Sequence, residues 1–136
     1  MQFLKLFLST LIYVFFIDML WLGVIAKNIY AQEIGSLLRM SGDSMAPNWP
    51  AAVVVYVAIT LGILFFVLPK ANGSYLQALG WGVLFGAITY GIYDFTNYSV
   101  LSAWSLKITL IDFVWGMVLC GLSSFFAAFM RNWFSS

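Results

Sequence analysis

Three carboxyl side chains lie where a chain rarely places them. Asp18, Asp94 and Asp112 each fall inside an apolar run long enough to cross a bilayer. An acid at the centre of such a run costs about 2.5–3.5 kcal/mol on insertion scales, so it is kept for packing or for function. Each acid has company. Trp21 follows Asp18 by three residues, and Trp115 follows Asp112 by the same interval. At that spacing the pair shares one helical face. Tyr93, Thr96 and Asn97 surround Asp94, Thr109 precedes Asp112 by three, and Trp104, Lys107 and Lys27 flank the same stretches. Carboxylates beside aromatic rings suit two kinds of chemistry: holding a cation, with a cation–π contribution from the rings, or exchanging protons as an acid and base pair. The 136 residues include no His and one Cys, which removes His-based metal sites, His-ligated haem, histidine acid–base catalysis and an internal disulfide. No metal site and no cofactor is expected.

Hydrophobic residues make up 63% of the chain and charged residues 8%, against about 25% charged in soluble domains. The elements that must position the acids are therefore membrane helices. A bilayer core about 30 Å thick takes roughly 20 apolar residues at helical rise, and four runs qualify, at about 3–26, 50–68, 75–97 and 106–130. This predicts an all-α integral membrane protein, a four-helix bundle in one domain over residues 1–136. The first run exceeds a signal-peptide core and contains Asp18, so a retained helix is expected. Between the first two runs, Tyr30, Ile34, Leu37, Leu38 and Ser41 share a helical face. Two readings fit: a short amphipathic helix in the interface, or a continuation of the first helix past the membrane. The net charge of +1 offers no footprint for nucleic acid; membrane lipid is the expected surrounding.

Four spans put both termini on one side, with Lys5, Lys70 and Arg131; Lys27, Arg39 and Lys107 fall on the other. The positive-inside rule is tied at three residues each, and the short Lys5 and Lys70 segments tip it toward cytoplasmic termini. Counting helical rise from the opposite boundary, Asp18 lies about 12 Å deep, Asp112 about 9 Å and Asp94 about one turn. All three thus occupy one half of the bundle. Three acids facing Lys27 and Lys107 leave one negative charge without a partner, and Asp112 is the better match for a lysine. The alternative is structural: such groups also hydrogen-bond between helices, at about 0.6 kcal/mol each.

Ile17-Asp18-Met19-Leu20-Trp21 and Ile111-Asp112-Phe113-Val114-Trp115 form a short local repeat. Their helices run in opposite directions, which predicts tryptophans at unequal depths. Small residues recur at four-residue spacing in Ala78, Gly82 and Gly86, and in Gly116, Cys120 and Ser124. The second set is in register with Asp112, so that acid should face another helix. Packing within the bundle is the expectation and a homodimer seam the alternative. Cys120 reads as a small packing residue.

The chain resembles a family of small bacterial membrane proteins, domain of unknown function 2177. The resemblance lies in Asp18-Met19-Leu20-Trp21-Leu22-Gly23, in Tyr30 with Ile34-Gly35, in Tyr93-Asp94-Phe95-Thr96-Asn97 followed by Leu101 and Trp104, and in Thr109-Leu110-Ile111-Asp112-Phe113-Val114-Trp115-Gly116. It implies a four-helix protein of the bacterial inner membrane and carries over no activity.

Three roles follow. The first is binding or transport of a small amphipathic or cationic ligand in an acidic, aromatic-lined pocket built from the residues above. The second is a lipid- or isoprenoid-modifying enzyme, with Asp18 and Asp112 as acid and base and Tyr93, Asn97 and Lys107 holding a head group. The third is a structural subunit of a membrane complex.

Overall fold

The computed structural model describes residues 1–136. Four helices are long and apolar enough to cross a membrane: Gln2–Ile25, Trp49–Ala71, Tyr75–Val100 and Leu106–Ser135. The first span is α1 (Gln2–Leu20) continued by a π-helical turn, Trp21–Ile25. A short α2 (Lys27–Ile34) follows, then a 3₁₀ turn at Gly35–Leu37. The second span is α3 (Trp49–Gly62), a π-helical turn at Ile63–Val67 and α4 (Leu68–Ala71). The third is α5 (Tyr75–Val100) and the fourth α6 (Leu106–Ser135).

Local chemistry sets the ends. The side chains of Asn48, Ser74 and Ser105 accept from the backbone N–H three residues on, at 3.3, 3.2 and 3.1 Å. These N-caps satisfy donors that each helix start leaves free. Pro50 sits in the first turn of α3, where its missing N–H costs nothing. The second span ends at Asn72 and Gly73, both at positive φ (51° and 80°), a left-handed stop that returns the chain at once.

Neighbouring spans run antiparallel. Phe15 packs against Tyr56 and Phe3 against Phe65; Gln2 reaches Phe134 while Trp21 reaches Trp115. α5 and α6 pack most extensively. A Cβ on Gly82 would meet Cys120 and Ser124, one on Gly86 the backbone of Gly116, and one on Gly116 the ring of Tyr90. The small-residue stripes are thus the seam between these helices, and Ala78, Gly82, Gly86, Gly116, Cys120 and Ser124 are buried along it. Cys120 is one of the core residues, with Val14, Ile63 and Leu119. Large apolar side chains such as Phe16, Val54, Leu76 and Ile92 point outward, each more than half exposed, the surface expected of a bundle solvated by lipid rather than water.

The connection between the first two spans is where the chain departs from the periodicity. The helix stops at Ile34 and does not run on to Ser41. A two-residue hairpin, Met40–Ser41 with Ser44–Met45, replaces the last predicted turn. Gly42, at φ 63°, allows the reversal. α2 is also seated on the bundle rather than laid beside it: Tyr30 and Ile34 are buried with Ala26, Trp104 and Ile108. Glu33 accepts from the Ser105 hydroxyl at 2.7 Å, fastening α2 to the start of α6. The segment forms a cap over one end of the four helices.

Candidate functional site beneath the cap

The three intramembrane acids lie at the capped end, in α1, α5 and α6. All are buried: Asp18 is 6% exposed, Asp94 0% and Asp112 7%. Asp18 of α1 and Asp112 of α6 each accept from a tyrosine, and an indole stands in each network. Trp115 Nε1 donates to Asp18 Oδ1 at 2.9 Å, and Tyr56 Oη donates to Asp18 Oδ2 at 2.6 Å. Trp21 Nε1 donates to Tyr30 Oη at 3.1 Å, and Tyr30 Oη donates to Asp112 Oδ1 at 2.6 Å. The local repeat is therefore cross-wired. Trp115 serves Asp18 directly, and Trp21 serves Asp112 through Tyr30.

The two tryptophans do meet, against the unequal depths expected from antiparallel helices. Their rings stack with centroids 4.5 Å apart and planes 8° from parallel. The physical reason is that helical side chains lean toward their own N-terminus. On antiparallel helices, Trp21 and Trp115 lean toward each other and cover the offset between their backbones.

Asp94 adds a third carboxyl beside that of Asp112. No N–H or O–H of another residue type reaches either Asp94 oxygen or Asp112 Oδ2; the two carboxyls lie at hydrogen-bonding range of each other instead. A buried polar atom normally finds a partner, and two carboxyls at this range are matched when the pair shares one proton. Tyr30 lies outside the spans. Burial and the Asp112 carboxylate both push its phenol well above the ordinary tyrosine value, so it stays a neutral donor to Asp112.

A cavity of about 380 Å³ opens against this layer. Its polar wall includes Asp18, Asp112, Thr89 and the tyrosines Tyr30, Tyr90 and Tyr93; Leu22, Val55 and Ile59 supply apolar surface from the spans. Ile34 and Leu38 of the cap and Met45 of the hairpin close over it. Trp104 completes the wall, its indole edge-on to Tyr93 at 5.8 Å, and its Nε1 is buried without a partner.

Of the residues singled out from sequence, Asp18, Tyr93, Trp104 and Asp112 line this cavity. Trp21 and Trp115 stand behind the acids and line a shallow depression on the outer face instead. Asp94 is wholly buried and outside the cavity wall. Asn97 is half-buried, within reach of the Tyr93 phenol. Lys107 is exposed, and the Asp112 partner is Tyr30, not a lysine. Five residues separate Lys107 from Asp112, roughly 140° around the helix, which turns the ammonium off the acid's face. Periodicity alone passed over Tyr56 and Tyr30 as acid partners. For Tyr56 the signal was present: a phenol in an apolar span has to find a partner for its hydroxyl.

These features define a polytopic helical membrane protein with a capped, acid-bearing cavity. The family described as "Predicted membrane protein (DUF2177)" matches residues 3–129, nearly the entire chain, and the chain belongs to that family. No curated protein and no solved structure matches it.

Proposed function

We propose that the protein binds a small amphipathic or cationic ligand in the capped cavity. One observation carries the reading: two acids, Asp18 and Asp112, form part of the wall of an otherwise largely apolar cavity. Buried acids are costly without a counter-charge, and an ammonium group with an apolar tail supplies both that charge and matching surface for Leu22, Val55 and Ile59. Trp104 adds an aromatic wall suited to a cation, and its Nε1 has no protein acceptor. Mostly apolar walls with a few convergent polar groups, at a volume of a few hundred Å³, are typical of small-ligand sites. A bacterial inner-membrane location with the Lys70 turn in the cytoplasm belongs to the same proposal, and is supported by the short basic segments at Lys5 and Lys70.

The test uses the protein in phosphatidylcholine nanodiscs. Octylammonium is expected to raise the unfolding temperature and octanol to leave it unchanged. Asp112→Asn should abolish the difference while the variant remains folded by circular dichroism. Ligand at a hundred times its Kd stabilises by about 2.7 kcal/mol, a readable shift. Equal effects from the amine and the alcohol would overturn the reading.

A further inference from the structure

The end of the bundle remote from the cap carries a second concavity, independent of the first. Three helix ends meet there: the start of α1, the end of the second span and the end of α6. Together they enclose about 380 Å³. Phe3, Leu64, Phe65 and Phe134 give it an apolar wall, and Arg131 and Gln2 give it a polar rim. The rim is tied shut on one side, because Gln2 Nε2 donates to the carbonyl of Phe134 at 3.0 Å. Phe3 and Phe65 pack ring to ring at 5.7 Å, and each is more than half exposed outward.

The ionisable side chains at this end have one sign. Lys5, Lys70 and Arg131 all lie here, whereas Asp18, Glu33, Asp43, Asp94 and Asp112 all lie in the cap or the capped half. Lys70 is engaged over the Trp81 ring, 4.9 Å from its centroid. Arg131 is exposed, lines the groove and has no acidic side chain at its end of the molecule. A guanidinium above an aromatic and aliphatic trough calls for an occupant with an anionic head and an apolar tail.

We propose that this groove binds an anionic phospholipid. The Arg131 guanidinium holds the phosphate, for which its planar fork of donors is suited, and an acyl chain runs along the Phe3–Phe65 wall. Charge complementarity selects the head group. The position of the trough on the lipid-facing ends of two spans selects a bilayer lipid over a free anion.

Native mass spectrometry of the whole protein, released from nanodiscs of equal phosphatidylglycerol and phosphatidylcholine, tests this. Retained lipid is expected to be predominantly phosphatidylglycerol. Arg131→Gln should lower that retention about fivefold, the equivalent of one basic residue near a charged surface, and Arg131→Lys should keep most of it. Lys70→Gln removes the same charge from the same end but outside the groove, and should change retention less than twofold. An equal loss in Arg131→Gln and Lys70→Gln would reduce the effect to diffuse charge and overturn the site. So would the absence of any preference for phosphatidylglycerol, or displacement of the lipid by inorganic phosphate.

Discussion

Asp18 and Asp112 are held by the same kinds of group in different ways. Asp18 has both oxygens occupied, by Tyr56 and Trp115. Asp112 accepts from one phenol, Tyr30, and otherwise has the Asp94 carboxyl beside it. Under the proposed binding role, Asp18 belongs to the framework and Asp112 to the ligand site. Removing the Tyr56 hydroxyl in Tyr56→Phe should therefore destabilise the protein by about 1–3 kcal/mol, the cost of an unpaired buried acceptor. Thermal unfolding without ligand checks this; an unchanged midpoint would remove Asp18 from the framework. Trp104 gives a prediction of its own. Its unpaired Nε1 should favour 2-(octylamino)ethanol over octylammonium by roughly the net value of a hydrogen bond, about 1 kcal/mol. In Trp104→Phe that preference should vanish while octylammonium still binds, as read by calorimetric titration.

Between elements, the closest approach is that of α5 to α6. Gly86 lies against the backbone of Gly116, and Gly116 lies under Tyr90, which also faces the cavity. Seam packing and cavity shape are thus mechanically joined. Gly116→Ala should cost about 1–3 kcal/mol by overpacking and should also weaken octylammonium binding, since the Tyr90 ring must move. Gly80→Ala, with open space around its added carbon, should raise stability by up to about 1 kcal/mol through helix propensity and leave binding unchanged. Paired unfolding and binding measurements on both variants separate the two effects. The π-helical turns at Trp21–Ile25 and Ile63–Val67 interrupt the first two spans. The first directly precedes the cap, and Ala26 closes it by donating to the Trp21 carbonyl at 2.7 Å. That wide turn lies between Asp18 and the segment that places Tyr30 over Asp112.

At the scale of the whole molecule the two concavities sit at opposite ends and differ in how they meet solvent. The acids are buried under the cap, whereas Arg131 is exposed. Salt screens exposed charges over about 10 Å at 0.1 M and buried ones much less. Raising sodium chloride from about 0.05 to about 0.5 M should accordingly weaken phosphatidylglycerol retention several-fold and leave octylammonium binding within about twofold. Equal salt dependence at the two ends would contradict the burial of the acid layer.

Much of the architecture was legible because lipid imposes simple rules. Length and apolarity mark the spans. The cost of an intramembrane acid drew attention to Asp18, Asp94 and Asp112, and four-residue spacing showed which face of α6 turns inward. What the tertiary structure alone decided was pairing. Tyr56 is 38 residues from Asp18 in sequence, and Tyr30 is 82 from Asp112; no local period links them. Helix periodicity carried the cap on to Ser41, where Gly42 and the fit of Ile34 against Ile108 dictate a hairpin instead. Composition and period govern how a helix partitions into lipid, one residue at a time. Which donors reach which acid depends on how antiparallel helices lean and slide against one another, and that is a property of the packed bundle.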